Sequence, residues 1–283
     1  MTAVMSEPAQ LRRDELAEMI SARLDACADT LRTEWTQGRT IATAVVDDLL
    51  PDAIARQIHR AFPPTNRMVL RSSIRENKHI AAQMNLFDPL LEEIVYAFQD
   101  PRVVERVARI TGIEEAEPDA ELYAGGISAM SKGAYLRPHL DNSHDRTRER
   151  YRVLNLLYYV TPGWTEAYGG SLQLWDDGPS GAPRTIPSTF NRLVLIPTNQ
   201  RSWHSVNEIA HDGTRCCVSN YYFSRKSPEA RRYFHATSFR AEYGAGISDV
   251  VMRADNALRS AILRLTNDRL YKNPHGYKRD GRQ

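Results

Sequence analysis

Three residues have the types and spacing of a metal centre: His139 and Asp141 in a His-Leu-Asp triplet, and His204 in the run Ser202-Trp203-His204-Ser205-Val206. Side chains on a β-strand repeat every two residues, so His139 and Asp141 share a face and can bind one ion together, with His204 arriving from a second strand. Two neutral imidazoles and one carboxylate on one side of an octahedral ion leave three positions open, the arrangement that suits non-haem Fe(II) oxygenases. Arg215, shortly after, is a cation able to hold a carboxylate-bearing cosubstrate. The competing reading is plainer, because an isolated His-x-Asp arises often by chance and a lone histidine on an apolar strand is usually a packing residue. The surroundings favour the metal: GAYLRPHLDN at 133 to 142 reads as a strand running into the triplet, and the charged stretch 143 to 150 reads as a solvated loop.

The elements that must position these residues divide the chain in two. Residues 8 to 34 carry Leu11, Leu16, Met19, Ile20, Leu24 and Leu31 at helical spacing, which predicts an amphipathic helix. A short strand over 41 to 46 leads into a helix between Pro51 and Phe62-Pro63-Pro64, and further helices are expected at 75 to 84, 88 to 98 and 100 to 111. After Pro118 the pattern changes to short β-rich runs at 122–130, 134–140, 151–161, 170–175, 184–186, 192–197, 202–208 and 214–223. That order predicts a mainly β protein with flanking helices, a jelly roll buttressed on one face. It is read as a single domain: helical support over 1–117, a catalytic core over 118–224, and an extension over 225–283 with a lid or substrate wall and a helix over 248–267.

Composition narrows the classes. With 283 residues and 42% hydrophobic content the chain can bury one large core. No apolar leader or run of membrane-spanning length is present, which predicts a soluble, cytoplasmic protein with no membrane partner. Three cysteines, Cys27, Cys216 and Cys217, are too few and wrongly spaced for a disulfide framework or a zinc site. A net charge of +2 argues against nucleic acid as a partner. Arg225, Lys226, Arg231, Arg232 and Arg240 read either as a solvated surface or as a wall recognising an anionic substrate group. His144, His211, His235 and His275 have no partner at ligand spacing and read as solvated loop histidines.

Six fragments occur in order: GAYLRPHLDN at 133–142, VLNLLYYV at 153–160, GGSLQLW at 169–175, FNRLVLIPT at 190–198, SWHSV at 202–206 and TRCCVSNYYFS at 214–224. In that order the chain resembles the Fe(II)- and 2-oxoglutarate-dependent oxygenases, in their prolyl-4-hydroxylase-like branch. The resemblance implies a double-stranded β-helix core of the cupin type, Fe(II) on His139, Asp141 and His204, and 2-oxoglutarate held by Arg215 with a hydrogen bond from Tyr159. The strand alternation puts Asn155 and Leu157 on the face of Tyr159, beside the cosubstrate. The resemblance also implies hydroxylation of an unactivated C–H with release of succinate and CO2, ascorbate serving as reductant, and no catalytic side chain beyond the metal site. Asp141 argues against halogenation, whose family members lack that carboxylate. The substrate class it implies is broad: a small or carrier-bound metabolite, a free amino acid, or a prolyl residue in a peptide.

Two neighbours are read as substrate contacts. Tyr221 shares the face of Arg215 by the period of two, although a core tyrosine fits the same position; Arg137 shares the parity of His139, although Pro138 disturbs the alternation. The chain departs from the family where a tyrosine is often found, near Ser128-Ala129-Met130, and has eleven residues from His204 to Arg215, slightly more than in some relatives. A non-redox jelly roll stays open at this point, as a metal-dependent isomerase or a sugar-binding module.

Overall fold

In the computed structural model, residues 11–229 and 231–240 are described. The helix expected over 248–267 and His275 lie outside them.

The amphipathic start of the chain forms two helices, α1 (Arg13–Ala26) and α2 (Ala28–Trp35), because Cys27 leaves the helical region at φ −119° and ψ 12°. β1 (Ala44–Val46) and α3 (Asp52–Ala61) follow, and after a hairpin come α4 (Pro89–Ala97) and α5 (Pro101–Thr111). Both late helices start alike: Asp88 and Asp100 accept from the backbone N–H two residues on, with proline at the first helical position. Gly112, at φ +69°, ends α5 in the left-handed conformation that a side chain would resist.

The hairpin corrects an expectation. Residues 75 to 84 do not form a helix; β2 (Val69–Ser72) and β3 (Glu76–Ala81) pair antiparallel, and Ser73 closes the turn by donating its N–H to the Glu76 carbonyl at 2.8 Å. Tertiary pairing overrides local propensity here, because one edge of β3 is taken by two core strands in succession. The first 117 residues therefore contribute strands to the sheet as well as helices.

The remaining strands are β4 (Glu117–Pro118), β5 (Gly126–Ser131), β6 (Tyr135–Leu140), β7 (Tyr151–Tyr159), β8 (Leu172–Leu174), β9 (Arg184–Ile186), β10 (Arg192–Pro197), β11 (His204–Val206), β12 (Thr214–Ser224) and β13 (Ser238–Phe239). The sheet runs β1-β10-β7-β12-β5-β3-β6-β11-β8-β9, so β3 joins a helix-backed half to the half that carries the metal-ligand residues. Period-two alternation gives each strand two duties. Leu154, Leu156 and Tyr158 of β7, Leu193 and Leu195 of β10, and Cys216 and Val218 of β12 pack outward in one core with α1, α4 and α5. Tyr159, Val194, Ile196 and Cys217 point the other way, into a second core shared with Leu172, Leu174 and Ile186 of the opposite half. That inner core marks the interior of the roll. The adjacent cysteines thus face opposite sides, and burial pushes the Cys216 thiol up to about 12. No helix among the described residues is long and apolar enough to cross a membrane.

Asn191 ties the halves of this scaffold. Held at φ +62°, it accepts from the Tyr158 hydroxyl at 2.8 Å and the Leu50 N–H at 3.1 Å, and donates to the Leu50 carbonyl. Asn191→Ala strands three buried polar groups, so urea denaturation is expected to show a loss of about 2–4 kcal/mol. A loss below about 1 kcal/mol would mean that water replaces these bonds.

Candidate metal centre

The two ligand strands are neighbours, and the register sets His204 directly opposite His139. Each imidazole uses Nδ1 on a backbone carbonyl, His139 on Arg137 at 3.0 Å and His204 on Ser202 at 2.9 Å. If each Nδ1 carries the proton in these contacts, Nε2 is left as a lone pair, and both Nε2 atoms face Asp141, at 3.6 Å from Oδ1 and 3.7 Å from Oδ2. All three residues are buried, and one donor atom from each falls within 4.8 Å of the others. Burial, reinforced by His139, pushes His204 down to about 4, so the imidazole is neutral at ordinary pH. Burial alone would raise the Asp141 carboxyl; the neighbouring charges, the Arg152 guanidinium first among them, outweigh it and hold the group well below the usual carboxylate range. Two neutral nitrogens and one carboxylate are the donor set that Fe(II) takes.

Asp141 is fixed by residues that the sequence places less directly. Asn155 Nδ2 donates to its Oδ2 at 2.7 Å, and Asn155 Oδ1 accepts from the Thr198 hydroxyl at 2.9 Å. Arg152 Nη1 lies 3.5 Å from the same Oδ2, and its guanidinium covers the Tyr221 ring at 4.4 Å. Asn155 thus orients the Asp141 carboxylate while also lining the cavity. Arg152 is absent from the sequence reading because a bulge opposite Tyr222 and Phe223 shifts the parity of β7 at its start.

One cavity joins this trio to Arg215. Its wall includes His139, Asp141, His204, Asn155, Leu157, Tyr159, Leu172, Val206, Arg215, Cys217 and Tyr221, together with Lys78, Ile80 and the 123–126 loop. Arg215 is 3% exposed and has no carboxylate partner among the described residues; Nη2 reaches only the Met130 sulfur at 2.9 Å, and Nε has no partner at all. Tyr159 lies alongside, its ring centroid 5.1 Å from the guanidinium carbon and its hydroxyl in contact with Ser188 and Arg215. Gly170 makes room for this arrangement, since a Cβ there would stand 3.1 Å from Arg215 Cδ and 3.0 Å from Ile209. A buried guanidinium without an acid is costly unless a ligand supplies one. The residues therefore fit both a divalent metal and a cosubstrate with a distal carboxylate.

Other expected site residues fall elsewhere. A second bulge, between the pairs Leu136 with Val206 and His139 with His204, puts Leu136 on the cavity side in place of Arg137, whose guanidinium covers the Tyr135 ring at 4.6 Å. Tyr221 does line the cavity. No described residue of 225–240 does: Arg225 and Lys226 pair with Glu117, Glu114 and Glu115 at the surface, and β13 adds to the edge of β6, stacking Phe239 on the His139 ring at 5.2 Å. Within the described part of the extension, β13 thus braces the ligand strand. His144 and His235 are not solvated either, since His144 is 8% exposed, His235 is half-buried, and both pack with Tyr233.

The sequence model of the 2OG-Fe(II) oxygenase superfamily matches residues 125–223, the stretch that holds His139, Asp141, His204, Asn155, Tyr159 and Arg215. Among curated proteins, the prolyl 3-hydroxylase OGFOD1 of Mus musculus is 29% identical over 96 residues, 32% of this chain and 17% of that protein. Its Xenopus laevis counterpart is 33% identical over 84 residues, 28% of this chain and 16% of that protein. The matched stretch thus spans only about a sixth of the length of these relatives. Two solved structures share the fold at 16% identity: a Pseudomonas putida prolyl-4-hydroxylase, with a TM-score of 0.50 over 73% of this chain and 100% of its own, and a Phytophthora capsici prolyl 4-hydroxylase, with a TM-score of 0.51 over 95% and 84%.

Proposed function

We propose that the chain, whose residues 125–223 match the sequence model of the 2OG-Fe(II) oxygenase superfamily, is an Fe(II)- and 2-oxoglutarate-dependent dioxygenase that hydroxylates a prolyl residue in a peptide. The observation that carries the reading is the coexistence, in one cavity, of the His139, Asp141 and His204 trio with a buried guanidinium that meets no acid among the described residues. Support for a prolyl substrate comes from the names of the two curated relatives. A small anionic metabolite held by the 225–240 arginines has less support, because those residues stand away from the cavity.

In this reading His139, Asp141 and His204 hold Fe(II), and Arg215 binds the distal carboxylate of 2-oxoglutarate with paired donors while Tyr159 supports it. Bound there, the metal and cosubstrate supply the O2-dependent oxidation in which 2-oxoglutarate gives succinate and CO2 and one oxygen atom enters a substrate C–H. The protein's own part is orientation and exclusion of water. Leu157, Leu172 and Val206 wall the space with apolar surface, and Asn155 and Arg152 hold Asp141 ionised and in place.

The reading is tested anaerobically by adding Fe(II) and then 2-oxoglutarate to the metal-free protein. A visible metal-to-ligand charge-transfer band is expected, followed in air by succinate release with blocked proline peptides. Fe(II) binding without a band would sink the oxygenase assignment. Asn155→Ala is expected to weaken Mn(II) binding about 10–100-fold, the usual cost of removing a group that orients a ligand. Titration by calorimetry checks this, and unchanged affinity would mean that Arg152 alone suffices.

A further inference from the structure

We propose that the β2–β3 hairpin is a recognition wall for an acidic peptide, with Arg71 and Lys78 reading an Asp or Glu side chain that flanks the hydroxylated residue. The inference rests on the oxygenase reading for the identity of the reacting centre, and on the hairpin itself for the charge. Lys78 lines the cavity and is within electrostatic reach of His204. The register places Arg71 directly across from Lys78, so both side chains lie on the same face. Like charges in a directly opposed pair destabilise a hairpin, and only one acid shares this face to offset them. Glu76 places its carboxylate 3.1 Å from Lys78 Nζ and is within electrostatic reach of Arg71, whose side chain makes no hydrogen bond or close ion pair with the described residues, so one acid faces two cations. The wall therefore keeps one positive charge over, beside the metal residues.

Its neighbours suit an extended chain. β2 pairs only with β3 among the described strands, so its outer edge offers backbone donors and acceptors to a peptide laid alongside. Charges on an edge strand can also serve merely to discourage pairing. A deterrent edge, however, is poorly served by Val69 and Leu70, which are 51% and 52% exposed. Apolar surface next to an unmatched cation is the composition of a binding wall.

Three short fluorescein-labelled peptides with a central proline, flanked by Glu, Gln or Lys, test this against the full chain with Mn(II) and 2-oxoglutarate under argon. Fluorescence anisotropy at low salt is expected to show the Glu peptide binding about ten-fold more tightly than the Gln peptide, with the margin shrinking as salt is added. Arg71→Ala should erase the margin, and Arg71→Glu should turn the preference toward the Lys peptide. The thermal midpoint of Arg71→Ala should not fall, since the change relieves a like-charge pair. Equal affinity for all three peptides, no measurable binding of any, a Glu preference that survives both variants, or displacement by free glutamate as effective as by unlabelled peptide would each overturn the proposal. The two readings fail separately: an Arg71-dependent preference without the charge-transfer band sinks the oxygenase reading alone, whereas a band with turnover indifferent to Arg71 sinks only the wall.

Discussion

Arg215→Met is expected to raise the 2-oxoglutarate concentration for half-maximal succinate release by two to three orders of magnitude, about 3–4 kcal/mol, while leaving the ligand-free protein as stable as before or more so. The first half follows from the loss of paired, charge-assisted donors in a site shielded from water. The second half follows from what Arg215 lacks. Among the described residues its guanidinium is buried without a carboxylate, its Nε has no partner, and its contacts are a thioether and the neutral Tyr159 hydroxyl, so the ligand-free fold carries an uncompensated charge. Methionine keeps most of the volume and removes that cost. Thermal unfolding with and without 2-oxoglutarate separates the two effects: the wild type should gain stability from the cosubstrate and the variant should not. A variant that unfolds well below the wild type without ligand would mean that Arg215 has a structural partner. Tyr159→Phe removes a supporting hydroxyl only and should cost about ten-fold or less.

Much of this site can be read from single strands, because strand period is local information. His139 and Asp141 sit two apart, His204 lies on a short apolar run, and Asn155, Leu157 and Tyr159 alternate inward, as does Arg215 with Cys217 and Tyr221. The runs 184–186 and 192–197 fall where β9 and β10 form. What escapes is information held by pairs of strands. A bulge shifts parity, and parity is all that one strand's sequence carries. The bulge beside His139 turns Arg137 out and Leu136 in, and the one in β7 brings Arg152 to Asp141 against the alternation. The β2–β3 hairpin escapes for a related reason. Glu76-Asn77-Lys78-His79 has no strand signature of its own and becomes a strand by bridging β5 and β6.

Arg152 makes the three metal-ligand residues unequal, and that inequality is open to measurement. Each of His139→Ala, His204→Ala and Asp141→Ala should abolish turnover and weaken Mn(II) binding by more than about 100-fold, since losing a ligand costs more than losing the group that orients it. Only the aspartate variant should also unfold easily. Asp141 is the carboxylate beside the Arg152 guanidinium, which is 3% exposed and whose Nε has no partner. Removing the anion leaves a buried cation uncompensated, at about 3–5 kcal/mol. It also takes the acceptor from Asn155 Nδ2. For a chain of this size the thermal midpoint without metal should fall by roughly 6–20 °C. A histidine variant leaves the Asp141–Arg152 pair intact and opens a modest cavity near solvent, so its midpoint should fall far less. Restoring neutrality in Asp141→Ala by Arg152→Leu should recover much of the lost stability and none of the metal binding. If the double variant were as unstable as Asp141→Ala, the destabilisation would come from lost packing around Asp141. Arg152 would then have no claim to holding that carboxylate ionised.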